Sequence, residues 1–163
     1  MLSNVLEVAL VAATLAAGLV AGIFLTFSDF VMRALGRARA GAGIEAMQLI
    51  NRVVYRSLFM VLLIGLSVAS IALALAGVAF VGGAVAWWLV AGGAAYVLGV
   101  MAVTGGKNVP MNHRLDRQDP GSPEAQDLWQ TYLRDWTRWN HLRTLASVAA
   151  MLCYFAATLA YSG

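Results

Sequence analysis

The stretch LFMVLLIGLSVASIALALAGVAFVGGAVAWWLVAGGAAYVLGVMAV, residues 58–103, contains no charged side chain. A helix rises about 1.5 Å per residue and needs roughly 20 apolar residues to cross a bilayer, so this stretch is long enough to cross twice. The two crossings are predicted as spans over residues 44–76 and 78–103, the first of which begins with polar turns. Because almost nothing separates them, they should form a tight antiparallel hairpin at Gly77.

Two further apolar segments flank this hairpin, over residues 5–30 and 142–161. The chain of 163 residues is 61% hydrophobic and only 12% charged, which excludes a soluble globular domain. The sequence therefore predicts an all-α fold, an integral membrane four-helix bundle that forms a single domain over residues 1–163.

The basic side chains lie at one end of this predicted bundle. All eleven Lys and Arg residues fall within residues 33–56 and 107–143. Basic connections stay in the cytoplasm, so the polar loops are predicted to be cytoplasmic and both termini periplasmic, in a bacterial inner membrane. The net charge of +3 is ascribed to contact with anionic lipid. The expected partner is thus the lipid bilayer and not nucleic acid.

The connection between the third and fourth spans has two parts. Residues 105–122 are rich in glycine and proline and are predicted to be an irregular inner loop. Residues 123–141 are predicted to be a polar, aromatic helix, with Ser122 as its N-cap. This helix would extend the fourth span into the cytoplasm.

Polar side chains gather where the four helices reach this inner end. Short polar groups cannot extend to the headgroups and need partners inside the bundle, so they mark the place to look for chemistry. The alternative is an interfacial belt, in which basic side chains reach the headgroups and aromatic rings lie at headgroup depth. The residues concerned are Asp29, Asn51, Tyr55, Arg56, Lys107, Asn108, Asn112, His113, Asn140, His141 and Arg143.

An aromatic stripe runs along the helix that contains residues 129–144. Trp129, Tyr132, Trp136 and Arg143 fall on one face at helical spacing, with Trp139 and Asn140 close to it. Such a stripe is either core packing or a wall against which a flat aromatic ligand stacks.

Four sequence blocks carry a resemblance to a known family. They are GIFLTFSDFVMRAL at 22–35, AMQLINRVVY at 46–55, KNVPMNHRL at 107–115 and WQTYLRDWTRWNHLRT at 129–144. In this order they resemble the anthrone oxygenase family of small four-helix membrane proteins. The resemblance implies a membrane-embedded oxygenase that acts with dioxygen on a flat aromatic, polyketide-like substrate of the anthrone type.

The resemblance also implies a cofactor-independent chemistry. Removal of a proton from an anthrone gives an electron-rich anthranolate, which can itself reduce dioxygen. The residues that would carry it are His141 as the base, Asn112 and Asn140 as donors to the oxyanion, Arg143 as an electrostatic stabiliser and Asp29 as the group that orients the histidine. The substrate-binding candidates are Trp136 and Trp139, which would stack on the substrate, with Asn51, Tyr55, Arg56 and Asn108.

Two alternatives stay open. A mixed metal site could use His113, His141, Asp29 and Asp116, but no two histidines stand at helical ligand spacing, so no tightly bound metal is expected. The protein could instead be a non-enzymatic small-molecule-binding or accessory membrane protein. A transporter is disfavoured because the middles of the spans hold no ionisable residue. A homo-oligomer is compatible with the sequence.

Overall fold

The computed structural model of the protein describes residues 2–162, which form a bundle of helices. The α-helices are α1 (Leu2–Thr26), α2 (Met32–Arg37), α3 (Ala40–Val53), α4 (Leu58–Ala76), α5 (Gly83–Tyr96), α6 (Val109–Asp116) and α7 (Pro123–Ser162). Short π-helical turns at Phe27–Val31, Gly77–Val81, Val97–Ala102 and Thr104–Asn108 lie between or after them, and Val54–Arg56 is a 3₁₀ turn.

Four of the resulting helical runs are long and apolar enough to cross a membrane. They are Asn4–Arg37, Leu58–Val81, Gly83–Asp116 and Pro123–Tyr161. The prediction of an all-α bundle with four membrane-spanning helices is confirmed. A lipid environment requires this, because every backbone N–H and C=O in the hydrocarbon layer must be satisfied within its own segment.

Helix α7 is the centre of the bundle. It packs along α1 on one side and along α5 on the other, and α4 packs on α5. Small residues allow the close approach: Gly92 lies against the Tyr154 ring and Gly99 against Ala146. The interface between α1 and α4, which closes the ring, is the least extensive of the four.

The predicted second span differs from the observed one. Residues 44–76 are not one helix, because the chain is extended at Ser57 and α4 begins only at Leu58. The Ser57 hydroxyl caps α4 by accepting a hydrogen bond from the Met60 amide at 3.4 Å. Helix α3 instead packs on the polar end, where the Gln48 amide donates to the Leu115 and Gln118 carbonyls at 2.9 Å each.

Two further boundaries are corrected. The predicted loop 105–122 is helical as far as Asp116, because the π-helical turn Thr104–Asn108 leads directly into α6, which contains Pro110 in its first turn. The hairpin turns at Gly82 and Gly83, whose φ angles are +73° and +58°, and not at Gly77. Gly77 is buried in the hairpin, where an added Cβ would lie 2.9 Å from the Leu89 side chain.

The fourth span and the extension before it are one helix. The forty residues of α7 measure about 60 Å, twice the hydrocarbon thickness of about 30 Å, so its first half lies beyond the apolar layer. Ser122 caps it, accepting from the Ala125 amide at 3.1 Å. This first half has its own core, the polar-end core of Met32, Ile44, Met47, Leu115, Ala125, Trp129, Tyr132 and Trp136.

The sidedness of the bundle is a testable prediction. Single cysteines at Ser3 and Ser162 should react with an impermeant thiol reagent from the opposite side to cysteines at Arg37 and Gln118, in a Cys153→Ser background. Each basic residue favours the anionic inner surface by about 1 kcal/mol, and all of them lie at one end. Labelling of the cysteines at Ser3 and Gln118 from the same side would contradict the four-span model.

Candidate functional site

A cavity of about 240 Å³ lies where the membrane part of the bundle meets the polar-end core. Met47 and Trp136 of the polar-end core form one part of its wall, and Phe24 and Leu63 of the membrane core form another. The break between α3 and α4 borders this cavity, since Val54 also lines it. The remaining lining residues are Ile23, Phe27, Ile50, Asn51, Tyr55, Phe59, Met60, Thr104, Val109, Asn112 and Arg143.

Among the described residues that line the cavity, Arg143 is the one cation, and it is only 5% exposed. Its Nη2 donates to Asn140 Oδ1 at 2.7 Å and its Nη1 to Thr104 Oγ1 at 3.3 Å. The guanidinium carbon lies 4.3 Å from the centroid of the Phe24 ring and 5.2 Å from that of Trp136. The guanidinium is therefore held between two aromatic walls by cation–π contacts.

Asn140 holds Arg143 in place and does not itself line the cavity. It is fully buried, and its Nδ2 donates to the Phe24 carbonyl at 2.7 Å and to Ser28 Oγ at 2.6 Å. Its Oδ1 accepts from Arg143. All the polar atoms of this side chain are thus engaged within the protein, and the geometry does not support its assignment as a donor to a substrate oxyanion.

Asn112 lines the cavity and is held there through its amide oxygen. Its Oδ1 accepts from the Tyr132 hydroxyl and from Trp136 Nε1, both at 2.8 Å. Among the described residues no hydrogen bond engages its Nδ2, so the amide nitrogen is the end left for a ligand. Asn51 supports this network from α3, where its Nδ2 donates to the Tyr132 hydroxyl at 3.4 Å.

The other predicted binding residues divide between the cavity and its surroundings. Tyr55 lines the cavity and is 52% exposed, which places it at the mouth. Asn108 is buried behind the wall and donates to the Trp136 carbonyl at 3.2 Å. Trp139 lies outside, with Lys107 Nζ 5.0 Å from its ring centroid, and Arg56 is exposed beyond the mouth.

His141 and Asp29 are not brought to the cavity. His141 is exposed, because it follows the buried Asn140 by one position and successive helical residues point about 100° apart. Asp29 is exposed as well and pairs with Arg33 at 2.9 Å instead of orienting a histidine. A general base must come within hydrogen-bond reach of its proton, so this geometry does not support the assignment of His141 as the base.

The mixed metal site suggested by the sequence is not formed. Within residues 2–162, no three His, Cys, Asp or Glu side chains form a group that could hold a metal ion. A reaction without a cofactor stays a prediction.

Sequence reasoning did not single out several residues that build the site. Phe24, Phe27 and Phe59 form aromatic walls, and Thr104 and Ser28 hold the polar groups in place. The only signal in the sequence was the position of Phe24, Phe27 and Ser28 within the block at 22–35. Thr104 and Phe59 gave none, since they become neighbours of Arg143 and the cavity only through helix packing.

Fold and site together define a four-helix membrane protein with an internal, mostly apolar cavity at one end of the bundle. The chain belongs to the anthrone oxygenase family, whose model, described as anthrone oxygenase, matches residues 52–153. The match confirms the resemblance seen in the sequence and supports an oxygenase-like function at the level of the family. Thr104, Asn112, Trp136 and Arg143 all lie within the matched range. No curated protein and no solved structure matches the chain.

Proposed function

We propose that the protein oxidises a flat, anthrone-type aromatic substrate with dioxygen inside this cavity. The observation that carries the proposal is a buried guanidinium set between aromatic walls in a cavity that the membrane could supply with an apolar substrate. In the reaction the substrate methylene loses two hydrogens. One oxygen atom of dioxygen becomes the new ketone oxygen and the other leaves as water.

The cavity residues would stabilise charge more than they would transfer protons. Arg143 and the Asn112 amide face the place where the oxygen of an anthranolate would lie, and fixed donors stabilise such charge strongly in a site shielded from water. Phe24, Phe27 and Trp136 would stack on the substrate rings. Asn140 and Tyr132 would keep the two donors oriented.

The proton of the methylene needs an acceptor, and the described cavity wall contains neither a carboxylate nor an imidazole. Water at the mouth beside Tyr55 is the acceptor that this arrangement favours. The oxidation itself requires only that the proton leave before the electron-rich carbon meets dioxygen.

The variant His141→Gln tests whether water, and not His141, accepts the methylene proton. We expect the variant to keep turnover within a few fold, whereas loss of a direct general base would lower it by roughly 10²–10⁴-fold. Oxygen uptake by the purified protein measures the difference, with His113→Gln as a second exposed histidine for comparison. A large loss in His141→Gln alone would restore His141 as the base.

A cavity-filling variant tests where the reaction takes place. Ile50→Trp adds a ring to the cavity wall, while Leu49→Trp, at the exposed neighbouring position, is the matched control. Under ¹⁸O₂, in the presence of a chelator, the unmodified protein should convert anthrone to a quinone that contains one labelled oxygen, faster than the uncatalysed reaction. Ile50→Trp should lower this rate by roughly 10²-fold, as expected for misplaced reactants, and Leu49→Trp should not.

A non-enzymatic binding protein is the second candidate. The same cavity could bind an anthrone without any reaction. Binding of an anthrone without faster oxygen uptake would favour this candidate. In that outcome Ile50→Trp would weaken binding and leave the oxidation rate at its uncatalysed value.

A further inference from the structure

We infer that the cavity takes its aromatic ligand as an oxyanion, a phenolate or enolate that has already given up its proton when bound. The inference rests on the proposed function for the aromatic class of the ligand. The new element is the ionisation state of the bound ligand. The site is inferred to select the ionised form of a substrate, a product or an inhibitor.

The first observation is that Arg143 has no counter-ion among residues 2–162. The ion pairs among the described residues join Asp29 to Arg33, Asp116 to Arg52 and Asp135 to Arg134, and none reaches Arg143. Its Nε is buried and has no hydrogen-bond partner. A charge removed from water without a partner is costly, so the site is electrostatically complete only when an anion enters.

The second observation is the shape of the surroundings. The guanidinium carbon lies over both the Phe24 and the Trp136 ring, and two of the guanidinium nitrogens donate to Thr104 and Asn140. The other donor, the Asn112 amide, is fixed by its bonds from Tyr132 and Trp136. One cation and one amide in an otherwise apolar wall suit a singly charged oxygen on a flat ring. A phosphate group would need more donors than this wall offers.

The third observation concerns the proton. Because the described lining holds no carboxylate or imidazole, the proton passes to water, from the O–H bond of a phenol or from the methylene C–H bond of an anthrone, and no electron moves. Binding is then linked to the ionisation of the ligand. Below the pKa of the ligand, the apparent Kd should fall by about tenfold for each unit by which the pH is raised. Above that pKa it should level off.

Hydroxyanthraquinones are suitable probes because they have no methylene to oxidise and change colour when they ionise. 1-Hydroxyanthraquinone and 2-hydroxyanthraquinone differ in pKa, and their methyl ethers are neutral isosteres. The unmodified protein should bind both phenols with the absorption spectrum of the anion at a pH where the free ligand is neutral. The pH at which each apparent Kd levels off should match the pKa of that ligand. The methyl ethers should bind at least tenfold more weakly than the phenols.

Arg143→Gln should lose the anion spectrum, and Arg143→Lys should retain part of it because it keeps the charge. The ligand series on the unmodified protein decides the question even if either variant fails to fold. The inference is overturned if the methyl ethers bind as tightly as the phenols, or if both phenols level off at one common pH. The second result would indicate a protein group as the proton acceptor.

These outcomes separate the inference from the proposed function. Anion binding without oxygen-dependent turnover of anthrone would remove the oxygenase proposal and leave the inference standing. Oxygen-dependent turnover together with tight binding of the neutral methyl ethers would overturn the inference and leave the oxygenase proposal standing.

Discussion

Replacing Arg143 by glutamine is expected to lower kcat/KM for an anthrone by about 10²–10³-fold, the usual loss when a donor to a developing oxyanion is removed. Arg143 is the cation of the cavity wall, and its guanidinium is fixed by Asn140 and by the Phe24 and Trp136 rings. Because the same guanidinium is expected to bind the substrate as its oxyanion and to stabilise it during the reaction with dioxygen, the loss should raise KM as well as lower kcat. Oxygen uptake at several substrate concentrations measures both.

Arg138→Gln is the matched control, since Arg138 is an exposed arginine on the same helix. It should change kcat/KM by less than about twofold, as expected of a surface charge. Circular dichroism and gel filtration in detergent establish that both variants keep the bundle. Equal activity of Arg143→Gln and the unmodified protein would show that this guanidinium takes no part in the reaction.

Gly99→Ala is expected to cause a large loss of stability through a single added methyl group. An added Cβ at Gly99 would overlap the Ala146 side chain, in the contact between α7 and the π-helical turn that follows α5. Overpacking of this kind costs about 1–3 kcal/mol, because two helix backbones must move apart. Thermal unfolding in detergent should therefore shift to lower temperature.

Two further variants test this reading of the contact. Gly99→Ala combined with Ala146→Gly moves the methyl group from one helix to the other and should recover much of the lost stability. Gly65→Ala is the control, because an added Cβ there meets no atom within 4 Å. A loss in Gly65→Ala as large as in Gly99→Ala would indicate that glycine matters at these positions for reasons other than close packing.

The residues around Asn140 show how much of the site could be predicted from the sequence. The block at 129–144 contains Trp136, predicted to stack on the substrate, and Arg143, predicted to be an electrostatic stabiliser, and both line the cavity. It could not separate Asn140 from His141, which are both polar and adjacent in the sequence. One is fully buried and the other exposed because α1 covers only one side of α7 at that level.

What the sequence determined by itself is the all-α class, the number of spans and the one end at which the polar groups collect. Length and hydropathy suffice for these, because a bilayer accepts only long apolar segments that satisfy their own backbone. Only the tertiary structure decided that α3 ends at Val53 and packs on the polar-end core. It also decided that Arg143 faces a cavity and has no counter-ion in the described part of the chain. Hydropathy does not distinguish a helix buried against protein from one buried in lipid. Which face of a helix points inward is set by its neighbours, and those neighbours come from distant parts of the chain.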